Sequence, residues 1–153
     1  MTPSNNLKEL AYELSVRALQ RQETVLDELR SRTGILLTAT ALVASFLGAR
    51  ALKDGLTWLA APGFLGAFVS IVLSVYVLAP KTNLKFVQGV RAYEHFVRVH
   101  ADLSEAQRTL EYWNQGAWEN NQSVIDRLIL CFGGSCGTLV MALFLWSLEL
   151  GLN

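Results

Sequence analysis

The chain has 153 residues, 52% of them hydrophobic and 17% charged, with a formal net charge of +0. That is apolar-rich and charge-poor for a water-soluble domain, and it fits one domain or a membrane bundle with a modest soluble part. Zero net charge excludes a global electrostatic pull towards nucleic acid or acidic lipid.

The charges are clustered. Residues 8–32 and 81–127 carry both signs in balance, whereas Thr33–Ala49, Leu56–Ala79 and Leu128–Leu148 carry none. The N-terminus lacks a basic segment followed by a short apolar core, so no secretory signal is expected and the first apolar run directs insertion itself.

Residues 1–6 predict a short polar tail, with Asn6 and Glu9 in a helix-capping pattern. Leu7, Ala11, Leu14, Ala18, Val25, Leu26 and Leu29 then recur at mostly three- and four-residue steps, one stripe of an amphipathic helix over residues 1–32. Glu13 and Arg17 stand four apart, in the favourable order for a helix pair. No proline intervenes before Pro62, so this helix is predicted to continue into the first transmembrane helix, residues 33–52. Its polar part, residues 7–32, spans about 39 Å.

The first span, TGILLTATALVASFLGA, is at the short limit for crossing a bilayer, and Arg50 can snorkel to extend it. The short loop Arg50–Gly55 forces the next span to be antiparallel and adjacent. That second span, residues 56–80, lies in an uncharged run longer than the roughly 20 residues a bilayer core requires. Pro62 sits near its start, where a missing N–H costs little, and Pro80 ends or kinks it.

Residues 81–127 predict a helical hairpin. Phe86, Val87, Val90, Tyr93, Phe96 and Val97 mark its first arm, and Ala101–Leu103 its turn. Ser104 with Gln107 is a second capping pattern. From there Ala106, Leu110, Trp113, Ala117, Val124 and Leu128 form a stripe that runs on into the third span, residues 128–150, with Gly116 its weak point. Lys and Arg concentrate beside the 1–32 and 81–127 blocks, against only Arg50 and Lys53 in the short loop. This predicts a multi-pass inner-membrane protein with a cytoplasmic N-terminus and an outside C-terminus. Trp58 and Trp146 are expected at the outer interface and Tyr76 at the inner one. The expected fold is all-α, three transmembrane helices extended into a cytoplasmic helical stalk.

Enzyme signals are poor. His95 and His100 are five apart, not the spacing that puts two metal ligands on one helix face. Cys131 and Cys136 are also five apart and point to different faces. There is no glycine-rich phosphate loop and no charge within the apolar runs. No catalytic residue, metal or cofactor is expected, and no enzyme.

Small residues recur every four positions within the spans: Ala41 with Ser45, Ala44 with Gly48, Gly66 with Ser70 and Ser74, Gly133 with Gly137, and Gly134 with Thr138 and Ala142. Such spacing lets helices approach closely in lipid and predicts a homo-oligomer. Thr38, Ser45, Gly48, Gly66, Ser70, Ser74, Gly133, Gly137 and Thr138 are the pore-lining or helix-packing candidates. A pore walled by such hydroxyls would be weakly selective. In the 81–127 block, Arg91, Tyr93, Arg98, Arg108 and Trp113 are candidates to clamp a nucleotide or oligonucleotide, or to meet a soluble partner protein. A bundle core with aromatic anchors is the competing expectation for these aromatics.

The junction LDELRSRTGILLTATALVASFLGARAL resembles small bacterial membrane effectors of the SLATT and Pycsar transmembrane type. In these a charged helix runs directly into a tight transmembrane hairpin with a Ser/Thr- and Ala-rich first span. The resemblance covers Leu26–Pro80; the third span and the lack of a recognisable nucleotide-sensing domain depart from it. It implies a multimer that permeabilises the inner membrane in anti-phage or stress defence when a cytoplasmic signal arrives. A non-catalytic scaffold that recruits a soluble partner is the alternative expectation.

Overall fold

The computed structural model describes residues 3–51, 58, 60–85, 95, 96, 98 and 102–152. Every regular element among them is helical: α1 (Pro3–Val43), a π-helical turn (Ala44–Gly48), the short α2 (Ala49–Ala51), α3 (Ala60–Leu78) and α4 (Leu103–Leu152). Three stretches are long and apolar enough to cross a membrane, within Glu9–Gly48, Ala60–Leu78 and Glu105–Gly151.

The helix ends have local causes. Helix α1 begins at Pro3, whose fixed φ suits the first helical position, so Asn6 lies inside the helix and not at its cap. Pro62 falls in the first turn of α3, where no donor is missed. Ala79 still donates to the Val75 carbonyl, and Pro80 stops the helix. Asp102 takes the N-cap position of α4, its carbonyl accepting from Glu105 and Ala106 at 3.0 and 2.9 Å. The cap thus lies two residues before Ser104. The lone Gly116 does not interrupt α4.

Two compact units make up the chain, residues 1–26 with 81–126 and residues 27–80 with 127–153. In both, buried positions follow a heptad. Along α1 they are Leu19, Gln22, Leu26, Leu29, Thr33 and Thr40; along α3, Ala60, Gly63, Ala67, Ser70, Ser74 and Val77. Along α4 they include Asn114, Asn121, Leu128, Ser135, Ala142 and Glu149, each seven from the next, with Ile125, Leu139 and Trp146 between. A repeat of 3.5 residues keeps one seam of each helix facing its neighbours.

This seam differs from the sequence-predicted stripes. Leu14 and Val25 are exposed, while Leu19 and Gln22 are buried. On α4, Trp113 is exposed and Asn114 takes the inward place. The first unit buries amides among its apolar residues, and exposed helix pairs such as Arg17–Glu13 decorate α1 at little energetic gain. The first arm predicted from Phe86, Val87, Val90, Tyr93 and Val97 lies outside the described residues, as does most of the Arg50–Gly55 loop.

In the second unit the outward surface is apolar. Ile35, Leu42, Phe46, Leu65, Phe68 and Leu130 are among its exposed side chains. Water would penalise such a surface, whereas hydrocarbon accepts it. The core here is the fully buried Trp146 with Ala60, Ala67 and Ala142, flanked by Val43, Ala44, Leu47 and Phe64. Trp146 is therefore a packing residue, not an interfacial anchor, whereas Trp58 is 82% exposed.

Two glycines make its seat. A Cβ on Gly63 would stand 2.5 Å from Trp146 Nε1, and one on Gly48 would stand 2.9 Å from Phe64 Cε1. Phe64 meets Trp146 edge-on, ring centroids 5.0 Å apart, a favoured aromatic geometry. The π turn at Ala44–Gly48 brings Gly48 into this contact.

Gly63→Ala is expected to destabilise the folded chain by roughly 1–3 kcal/mol through overpacking. Gly116→Ala, at a position with nothing within 4 Å, should stabilise it by about 0.5–1 kcal/mol through helix propensity. Unfolding titrations of detergent-solubilised protein, followed by circular dichroism, read both signs.

Candidate functional site

Four hydroxyls meet inside the second unit. Ser70 Oγ donates to the Ser135 carbonyl at 2.9 Å, and Ser135 Oγ donates to the Ser70 carbonyl at 2.8 Å. Each serine has one proton, and both protons are used in this exchange. Ser74 Oγ, 2.8 Å from Ser135 Oγ, is then the donor of that pair. Thr40 Oγ1 donates to the Leu36 carbonyl at 2.8 Å and lies 3.5 Å from Ser70 Oγ. All four residues are fully buried.

The cause is local. Gly66, one turn before Ser70, lets α3 approach α4 until a Cβ there would stand 3.1 Å from the Thr138 carbonyl. Thr138 itself donates within α4, to the Gly134 and Ser135 carbonyls at 3.1 and 3.0 Å. Close backbones joined by hydroxyls are the packing that holds helices together in lipid. With their protons committed to carbonyls, Ser70 and Ser135 are poor nucleophiles and face neither solvent nor lipid.

Four of the remaining pore-lining or packing candidates are exposed, and Gly48 is not. Thr38 and Ser45 are exposed and bond only to their own helix, at the Gly34 and Ala41 carbonyls. Gly133 and Gly137 are exposed, with nothing within 4 Å of a Cβ on either. Gly48 is buried in the Phe64–Trp146 contact. Cys131 and Cys136 are free thiols, each partly buried.

Two polar features of the seam escaped the sequence reading. Glu149 is 4% exposed and engaged with a partner, on the same seam as Trp146. It lies within the predicted third span and just beyond its uncharged run. Trp146 Nε1 is buried with no hydrogen-bond partner among the described residues. The seven-residue recurrence from Asn114 to Glu149 was the available signal for Glu149.

In the first unit, buried amides hold the elements together. Gln22 Nε2 donates to the Trp118 carbonyl and to Gln122 Oε1, both at 3.1 Å. Asn121 grips one residue twice, accepting from the Lys85 N–H at 2.9 Å and donating to the Lys85 carbonyl at 2.8 Å. Asn120 donates to the Asn83 carbonyl at 3.1 Å. The two asparagines tie the segment after Pro80 to α4, and Gln22 ties α1 to it.

Of the ligand candidates, Arg91 and Tyr93 lie outside the described residues. Arg98 is exposed. The Arg108 guanidinium stands 6.0 Å from the Tyr112 ring centre. Trp113 packs with Phe96 at 5.8 Å and His95 at 5.4 Å while staying half open to solvent. Trp113 and Arg108 thus belong to separate aromatic contacts. Among the described residues no three His, Cys, Asp or Glu side chains converge on a metal position.

No protein-family model, curated protein or solved structure matches this chain.

Ser135→Ala removes one donor and one acceptor from the hydroxyl cluster and should cost about 1–2 kcal/mol, given roughly 0.6 to 1.7 kcal/mol per such bond in lipid. Ser45→Ala, on the exposed face, should change stability by less than about 0.5 kcal/mol. Denaturation of the detergent-solubilised variants in sodium dodecyl sulfate measures the difference.

Proposed function

We propose that this chain is a self-associating inner-membrane effector that permeabilises the bilayer in response to a cytoplasmic signal, in bacterial anti-phage or stress defence. The observation that carries the reading is the open small-residue face of α4. Gly133 and Gly137 point away from their own unit with nothing against them. In lipid such a face packs against another helix, because close backbone approach drives association there. Thr38 on α1 and Ser45 in the π-helical turn are outward and add hydroxyls to the same class of surface.

The buried hydroxyls support the same division of labour. Thr40, Ser70, Ser74 and Ser135 bond among themselves and to backbone carbonyls. A single copy therefore offers no polar channel through this cluster. A conducting path forms between copies, walled by Thr38, Ser45 and the glycine face, and its uncharged lining gives weak selectivity. Input comes through the 1–32 and 81–127 blocks, which lie on the cytoplasmic side with the C-terminus outside. Exposed Tyr112 and Trp113 also suit a second reading, a scaffold that recruits a soluble partner. That reading predicts a co-purifying protein and no flux.

Purified protein in liposomes should release a small entrapped dye, with a cytoplasmic extract supplied if the bare protein is silent. Gly137→Leu should abolish both release and cross-linked ladders while circular dichroism stays unchanged. Intact ladders and unchanged release in Gly137→Leu would exclude the α4 face as the contact. The orientation is read separately. A thiol reagent that cannot cross the inner membrane should label Asp54→Cys in intact spheroplasts and spare Gln107→Cys, tested in a chain whose Cys131 and Cys136 are serine.

A further inference from the structure

The first unit holds a cleft of about 190 Å³ between α1 and α4. Ala11 and Ala18 open it by their small size; Ser15, Glu111, Asn114 and Gln115 supply its polar lining, and Trp118 its aromatic lining. The volume is below the roughly 300 Å³ at which pockets for drug-sized ligands begin. The cleft suits a small head group, and its one charged lining residue, Glu111, disfavours a phosphate.

The unused groups favour the opposite charge. Glu111 is partly buried and forms no ion pair among the described residues. Asn114 is 5% exposed and spends Nδ2 on Ser15 Oγ at 3.0 Å, while its Oδ1 accepts nothing among the described residues. Ser15 in turn gives its own proton to the Tyr12 carbonyl at 2.7 Å, so its oxygen faces Asn114 as an acceptor. Beside the cleft, Gln22 donates to the Trp118 carbonyl and leaves Oε1 buried without a partner among the described residues. Carboxylate, amide and hydroxyl oxygens are thus the spare capacity here, next to an indole, the ring that attracts cations best.

We propose that this cleft binds the head of a small organic cation, an alkylammonium or guanidinium. One N–H bonds the Glu111 carboxylate, a second bonds Asn114 Oδ1, and the indole of Trp118 covers the charge. Residues three apart on a helix carry Cβ atoms about 5–6 Å apart, a gap one planar guanidinium bridges. The proposal stands apart from pore formation, because binding is read directly and needs no membrane flux.

The test uses the full chain in zwitterionic nanodiscs, titrated with agmatine and with methylguanidinium by isothermal calorimetry. Butylurea serves as the neutral control and adenosine monophosphate as the anionic one. Saturable binding of both cations and of neither control is expected. Glu111→Gln should weaken it about tenfold or more, the loss of one charge-assisted bond. Trp118→Phe should retain most of the affinity and Trp118→Ala should lose several-fold. Circular dichroism confirms that each variant is folded. Equal affinity in a folded Glu111→Gln variant, binding of the nucleotide in place of the cations, or no saturation at tens of millimolar cation overturns the assignment.

Discussion

Ser70 and Ser135 each give their proton to the other's backbone carbonyl. This exchange fixes where α3 stands along α4. A hydroxyl left without an acceptor in a low-dielectric interior costs far more than one in water. Sliding one helix by a single residue would break both bonds and turn Ser74 away from Ser135. Shape makes the same demand as polarity, since Gly66 must face the Thr138 carbonyl for the backbones to come close enough. The register set here also decides that Gly63 faces the Trp146 indole.

The first unit meets a related requirement with amides. A polar residue at a buried heptad position lowers stability but rejects alternative registers, in which it would be unsatisfied. Asn121 does this by holding both backbone groups of Lys85. Gln22 does it by reaching the Trp118 carbonyl. Apolar side chains such as Leu19 and Ile125 supply the burial energy, while the amides supply the alignment.

Much of the architecture was legible in the residues. Three uncharged runs, two long enough to cross a bilayer core and the first at the short limit, and the lack of strand-like alternation, point to three long helices. The inward face was harder to read. Searching for apolar recurrence favours Trp113 over Asn114, because an amide does not register as core until its partner is known. The same bias passes over Gln22, Asn121 and Glu149. The π turn left no composition signal, and the seating of Trp146 depends on glycines from two other segments, Gly48 and Gly63, that no local pattern connects to it. Of the cleft in the first unit, the sequence exposed Trp118 as one aromatic among several, but not its neighbours on α1.

The tryptophan seat ties distant positions into one inheritable unit. Gly63 is small because the Trp146 indole occupies the space its side chain would fill, and Gly48 because the Phe64 ring that abuts this indole does so there. In a diverging lineage, a side chain gained at residue 63 is tolerated only where residue 146 has already shrunk, and one gained at residue 48 only where residue 64 has given way. Substitutions should therefore be found paired, 63 with 146 and 48 with 64, and the edge-on contact of the two rings links the pairs in any descendant of this chain.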